Sequence, residues 1–289
     1  MNINSPIGVF DSGLGGLSVA RRILERLPQE SIAYVADQAH VPYGERSPDE
    51  IRGFALGISD FLIGRGAKLV IMACNMSSAT AIVPAADLFP GIPVIGMIEA
   101  AVRAAHRTAS PGAIGVLATK GTVSMGAYTK ALARVLPDTE VFEQPCPRFV
   151  PIVEQGMSDS PEADAAAREY VTPLLESGCR TIVLGCTHYP FLIGAIRRIA
   201  GPNIGIIDPA EETAIEAANI LLDAGLLNPP HAEPVHAYFT TGAPGQLAEL
   251  GSRFLGTPIS SVSQISWGLE LRAIEWQDKT VGRTISSAL

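Results

Sequence analysis

Three stretches of this chain occur twice, in the same order and at nearly the same spacing. No other feature constrains the fold as much. Gly66-Ala-Lys-Leu-Val-Ile-Met-Ala-Cys74-Asn75 aligns with Gly178-Cys-Arg-Thr-Ile-Val-Leu-Gly-Cys186-Thr187, and Ile7-Gly-Val-Phe-Asp11-Ser12-Gly13 with Ile114-Gly-Val-Leu-Ala118-Thr119-Lys120. Pro42-Tyr43-Gly44-Glu45 pairs more faintly with Pro151-Ile152-Val153-Glu154. Around these segments, short apolar β-branched runs alternate with longer Ala/Leu/Arg-rich stretches. Ile7–Phe10, Ile32–Val35, Leu69–Ala73, Pro93–Ile95, Ile114–Leu117, Thr181–Leu184 and Ile204–Ile207 read as buried strands, with Val235–Thr240 as one more. Ser18–Arg26, Asp49–Gly64, Ser77–Leu88, Val123–Val135, Pro161–Glu176, Phe191–Ile199 and Glu211–Ala224 read as helices, several opened by Ser or Pro. Steady alternation of strand and helix means a parallel sheet covered on both faces. The repeat therefore predicts an α/β protein of two pseudo-symmetric parallel-sheet domains facing each other across a cleft. Each places a cysteine at the carboxyl end of a central strand, where open α/β sheets bind ligands.

Composition narrows the class. The 289 residues carry a formal net charge of −8, with 47% hydrophobic and 17% charged residues. That is enough apolar material for sizeable cores and too little charge for disorder. An acidic balance argues against a nucleic-acid partner, since phosphate binding needs a basic surface. The longest apolar strings, such as Leu69–Cys74, fall far short of a bilayer span, and the N-terminus lacks the pattern of a signal peptide. The expectation is a cytoplasmic enzyme acting on a small molecule, its four cysteines free thiols.

Two thiols facing one cleft define a chemistry. Each cysteine precedes a predicted helix start, whose dipole favours the thiolate. A thiolate on one face of a substrate carbon and a thiol on the other form a base and an acid. Removing a proton from one face and delivering one to the other inverts the centre, with neither cofactor nor metal. Taken singly, Cys74 and Cys186 resemble ordinary buried cysteines at strand ends. In matched positions, each followed by polar residues, they read as a working pair.

The flanking residues add detail. Asp11-Ser12-Gly13-Leu-Gly15-Gly16 sits at a strand-to-helix turn whose glycines let backbone N–H groups approach an anion. The spacing is not that of a dinucleotide fingerprint and no Lys-Ser/Thr follows. Asp11 suits an ammonium group, a cysteine partner or a helix cap. His188 is placed to tune Cys186 or to protonate an enolate. Cys186-Thr-His188 lacks the spacing of a zinc site. Asn75, Ser77, Thr119, Thr122 and Thr187 are short donors suited to carboxylates or to turn and cap positions.

Ile7-Gly-Val-Phe-Asp-Ser-Gly-Leu-Gly-Gly-Leu17, Val41-Pro-Tyr-Gly-Glu-Arg-Ser47, Ala73-Cys-Asn75, Cys146-Pro-Arg-Phe-Val-Pro-Ile-Val-Glu154 and Leu184-Gly-Cys-Thr-His-Tyr-Pro190 together resemble the glutamate racemases of the cofactor-independent aspartate/glutamate racemase family. The likeness runs from Ile7 to about Ala224. It implies two α/β domains, residues 1–98 with 209–289 and residues 99–208, in a homodimer without cofactor. It implies interconversion of L- and D-glutamate, the D-isomer serving peptidoglycan. Cys74 would be the base toward D-glutamate and Cys186 the base toward L-glutamate, with Asp11, Glu154 and His188 assisting. Asp11, Ser12, Tyr43, Gly44, Asn75, Thr187 and His188 match the substrate contacts, with Thr119 and Thr122 on the far side. One position departs. The family usually has Thr after Cys-Asn, and this chain has Met76, a thioether where a hydroxyl would meet a carboxylate. That change bears on affinity and on substrate identity, a related acid such as aspartate being the alternative. A periplasmic-type binding protein shares the two-lobed plan but gives no reason for matched thiols.

Overall fold

In the computed structural model, which describes residues 2–275, the apolar runs become two parallel sheets. The chain runs β1 (Ile7–Asp11), α1 (Leu17–Arg26), β2 (Ile32–Ala36), α2 (Pro48–Gly64), β3 (Leu69–Met72), α3 (Asn75–Leu88), β4 (Val94–Gly96) and α4 (Met97–Thr108). It continues through β5 (Ala113–Ala118), α5 (Lys120–Met125), α6 (Ala127–Ala133), β6 (Val141–Pro145), α7 (Phe149–Glu154), α8 (Pro161–Glu176), β7 (Cys179–Gly185), α9 (Ile193–Ala200) and β8 (Gly205–Ile207). It closes with α10 (Pro209–Asp223), β9 (Ala237–Thr240), α11 (Pro244–Leu255) and β10 (Ser263–Gln264).

The first sheet has the order β10-β9-β2-β1-β3-β4 and the second β6-β5-β7-β8. The sequence repeat is thus a repeat of topology, because β2-β1-β3-β4 and β6-β5-β7-β8 are the same arrangement. Every residue of β1, β2, β3 and β5 is buried, as a parallel strand covered on both faces requires. Both lobes have the predicted α/β class. The helix starts follow local chemistry. Ser47 and Glu50 form a capping box ahead of Pro48, Ser160 caps α8 ahead of Pro161, and the Asp208 carboxylate accepts from the Ala210 N–H at 3.0 Å ahead of α10. Helices α4 and α10 pack on each other, and α10 also lies on α1 of the first lobe. Among the described residues no helix is long and apolar enough to cross a membrane.

Several elements differ from expectation. The helix expected over Val123–Val135 is two, because Gly126 turns left-handed (φ +57°) and ends α5 before α6 begins. The one expected from Ser77 starts at Asn75, with Cys74 as its N-cap. A 3-10 turn, Tyr189–Leu192, precedes α9 in place of a helix from Phe191. The faint third repeat is no structural repeat. Tyr43–Glu45 is a short 3-10 turn, whereas Pro151–Glu154 completes α7, which Phe149, Ile152 and Val153 anchor in the core. Strands β6 and β10 and helices α4, α7 and α11 lack an expected counterpart. The last residues assigned to the first domain, 276–289, lie outside the described residues.

Candidate active site

The carboxyl ends of β1, β3, β5 and β7 face one cleft of about 430 Å³, a size suited to a small metabolite. Of the site candidates, Asp11, Ser12, Tyr43, Gly44, Cys74, Asn75 and Met76 line it from the first lobe, and Thr119, Thr122, Glu154, Cys186, Thr187 and His188 from the second; Ser77 does not, being fully buried behind Cys74. All four cysteines are free thiols, and Cys74 and Cys186 approach the cleft from opposite lobes, as the repeat predicts. Cys146 also lines the cleft, although the repeat gives it no partner, and its thiol donates to the Gln144 carbonyl at 3.2 Å. Cys179 is buried at the start of β7.

The lobes interlock at the Asp11 loop. Asp11 is 1% exposed; its Oδ1 accepts from the Gly13 N–H at 2.8 Å and its Oδ2 from the Thr187 hydroxyl at 3.2 Å. It does not cap α1, whose N-cap is Gly16. The Ser18 hydroxyl donates to the Thr187 carbonyl at 2.9 Å, and that of Tyr34 to the Gly13 carbonyl at 2.8 Å. A Cβ at Gly15 would run into His188 and Thr187. That glycine thus serves close packing of the two lobes, where the sequence suggested approach to an anion.

Beyond Cys186 the groups form a chain. Cys186 Sγ lies 3.9 Å from His188 Nδ1, and His188 Nε2 lies 3.3 Å from Glu154 Oε1. Burial opposes charge on the His188 ring. The hydrogen bonds with Cys186 and Glu154, and the negative charge of Cys186 and Asp11, outweigh it and raise the pKa to about 10. The imidazolium is therefore the form present near neutrality.

Cys74 sits in the opposite field. Burial, followed by the charge of Asp11, pushes its thiol up to about 11, and hydrogen bonds from the Ser77 N–H and the Ser12 hydroxyl offset this only in part. The lowering expected from the helix start at Asn75 is outweighed by desolvation. Asp11 is itself raised above the ordinary carboxylate value by burial, against the pull of His188 and the hydrogen bonds from Gly13 and Thr187.

Two positioning contacts had no sequence signal. The Tyr128 hydroxyl donates to Asn75 Oδ1 at 2.6 Å, which leaves the Asn75 amide N–H groups for the cleft. The Tyr43 hydroxyl donates to Asp37 Oδ2 at 2.7 Å, so the Tyr43 phenol is already committed. On the far wall Thr119 caps α5, its hydroxyl lies 3.0 Å from that of Thr122, and Thr122 Oγ1 donates to Met76 Sδ at 3.5 Å. Among the described residues no cluster of three or more His, Cys, Asp or Glu side chains could hold a metal ion.

The Asp/Glu/Hydantoin racemase family model matches residues 7–217. A glutamate racemase of Acidothermus cellulolyticus is 43% identical over 263 residues, covering 91% of this chain and 99% of that protein. Among solved structures, the glutamate racemase of Francisella tularensis in complex with D-glutamate superposes with a TM-score of 0.84 at 33% identity, covering 91% of this chain and 98% of that one. A glutamate racemase isoform of Bacillus anthracis superposes with a TM-score of 0.85 at 36% identity, covering 94% and 100%.

Proposed function

The chain belongs to the Asp/Glu/Hydantoin racemase family, and from that premise we propose that it interconverts L- and D-glutamate through two thiols, Cys74 and Cys186. One observation carries the reading: two cysteines on topologically equivalent strand ends of opposite lobes line one cleft. In this account the substrate Cα lies between them. One sulfur takes the Cα proton as a thiolate while the other thiol delivers its own proton to the opposite face. The proton lost and the proton gained are different ones.

The electrostatics of the two sides are unequal, and this suggests the resting state. The His188 imidazolium lies beside the Cys186 sulfur, 3.9 Å from Nδ1, while burial and the charge of Asp11 push the Cys74 thiol up to about 11. The resting cleft is thereby set to take the proton of L-glutamate at Cys186 and return one from Cys74. After that turnover the charges are reversed, and the substrate ammonium near Asp11 offsets the cost of a Cys74 thiolate. Glu154 holds the His188 ring. Asn75 offers its amide N–H groups to a substrate carboxylate beside Ser12, Thr119, Thr122 and Thr187, whose hydroxyls are engaged with Cys74, with one another, with Met76 and with Asp11. The turn at Tyr43–Gly44 offers its backbone, its phenol being held by Asp37.

On this reading, among the described residues, 2–98 with 209–275 form one domain and 99–208 the other. The enzyme works in the cytoplasm as a homodimer, and its D-glutamate serves peptidoglycan assembly. Another acid of the same group is the weaker alternative, because the close relatives are glutamate racemases. The test is direct. Purified protein incubated with L-glutamate, without pyridoxal phosphate, should yield D-glutamate to a one-to-one mixture by chiral chromatography. Racemisation of aspartate with glutamate left untouched would overturn the proposal.

A further inference from the structure

Asp37, just after β2, is completely buried and outside the cleft lining, yet its carboxylate is a junction. Oδ2 accepts from the Tyr43 hydroxyl at 2.7 Å and from His40 Nδ1 at 2.9 Å. Oδ1 accepts from Trp267 Nε1 at 2.7 Å and from the Thr241 hydroxyl at 2.9 Å. A carboxylate has about four lone-pair sites, and here four donors fill them. Aromatic rings enclose the junction: His40 stacks on Phe54 at 3.8 Å between centroids, and Trp267 lies 5.0 Å from His40 and 5.1 Å from Phe54.

Of the four donors only Tyr43 lines the cleft. Its turn is also where the lobes meet at the cleft mouth, since a Cβ at Gly121 would fall 2.8 Å from the Gly44 Cα. Thr241 and Trp267 come from the chain beyond residue 217, where the family model stops matching. The segment bearing Trp267 is tied to the first lobe on both sides. Ile265 N–H donates to the Thr240 carbonyl at 2.9 Å, Leu271 is fully buried, and Ile274 N–H donates to the Gly53 carbonyl at 3.1 Å.

We propose that Asp37 is a positioning residue for the reaction and that Trp267 is its anchor, so that the segment around residues 263–274 sets the placement of the Tyr43–Gly44 turn without touching substrate. The proposal rests on the reading of the cleft as a glutamate site. A buried carboxylate left one donor short is strongly disfavoured, so it moves toward its remaining donors and carries the Tyr43 phenol with it. The backbone contact at Gly44 and Gly121 leaves little tolerance for that movement.

Trp267→Phe keeps an aromatic ring and removes the indole N–H; Thr241→Val removes a hydroxyl, and Thr241→Ser restores it. Trp267→Phe and Thr241→Val should each raise KM for both glutamate enantiomers by about tenfold, with kcat changed by a smaller factor. Thr241→Ser should return KM to within about twofold of the parent. A purely structural junction predicts lower Tm with unchanged KM, and that result would overturn the proposal. A second readout needs no activity. With the other tryptophan replaced (Trp276→Phe), the ¹⁵N-labelled protein shows one indole N–H resonance, from Trp267. Tyr43→Phe should shift it through Asp37, and an unmoved resonance would likewise overturn the coupling. If the parent enzyme fails to racemise glutamate while the resonance shifts, the substrate reading falls and the junction stands.

Discussion

Thr122 Oγ1 donates to Met76 Sδ across 3.5 Å, so a side chain of the second lobe spends its hydroxyl proton on a thioether of the first. Met76 is 6% exposed, packs with Tyr43, Ile51 and Cys74, and reaches toward Gly121. Where the resemblance implies Thr, Met76 thus makes a contact between the lobes at the wall of the cleft. Met76→Thr should release the Thr122 hydroxyl and add a second donor. A hydrogen bond to a charged group contributes ~1.5–3 kcal/mol, roughly tenfold to hundredfold in binding. Steady-state kinetics should show kcat/KM for glutamate rising by about that factor. No change beyond about twofold would mean that the contact at position 76 is made by its backbone.

In the proposed mechanism the two thiols act as a unit. Cys74→Ala and Cys186→Ala should each abolish racemisation in both directions, and the double variant should be no worse than either single one. Cys179→Ser and Cys146→Ser, which lack partners in the repeat, should retain most activity. Full turnover in either alanine variant would make that cysteine structural.

The His188 pKa makes stability depend on pH with a definite sign. The folded value, about 10, lies above the ordinary 6.5, so between these values the folded chain holds a proton that the unfolded chain releases. The contribution is fully present below pH 6.5 and is lost as pH rises through about 10. Thermal melts should show Tm declining across that window, and His188→Gln should flatten the decline. Parallel curves for parent and variant would show that the imidazolium is not held in this way.

Activity should share the alkaline limit. On the proposed mechanism turnover needs one protonated thiol and the His188 imidazolium, which are held up to about pH 11 at Cys74 and about 10 at His188. The profile of kcat/KM, which reports the free enzyme, should fall only as pH approaches 10. A fall centred near 8.5, the value of an unperturbed thiol, would argue against the buried pair.

The repeat made the two sheets, their cleft and both cysteines legible, because buried parallel strands and their carboxyl-end residues carry strong local patterns. What stayed hidden had weak or non-local signals. Strand β6 stands where the repeat of β2 requires one, but Glu143, Gln144 and Pro145 disguise a partly exposed edge strand that pairs only with β5. The break at Gly126 hides inside a helical pattern. The thiol of Cys74 illustrates competing effects, since sequence supplies the helix start but burial and Asp11 decide the direction. The junction at Asp37 joins Tyr43, Thr241 and Trp267, residues far apart in sequence, and no motif spans such a distance.

The proton inventory at Cα tests the central claim most directly. Purified enzyme should be given L-glutamate in D₂O, and both enantiomers should be separated and analysed by mass spectrometry early in turnover. Two thiols acting on opposite faces predict D-glutamate carrying one deuterium at Cα while the remaining L-glutamate stays protiated. D-glutamate that retains the original protium would contradict the two-thiol account.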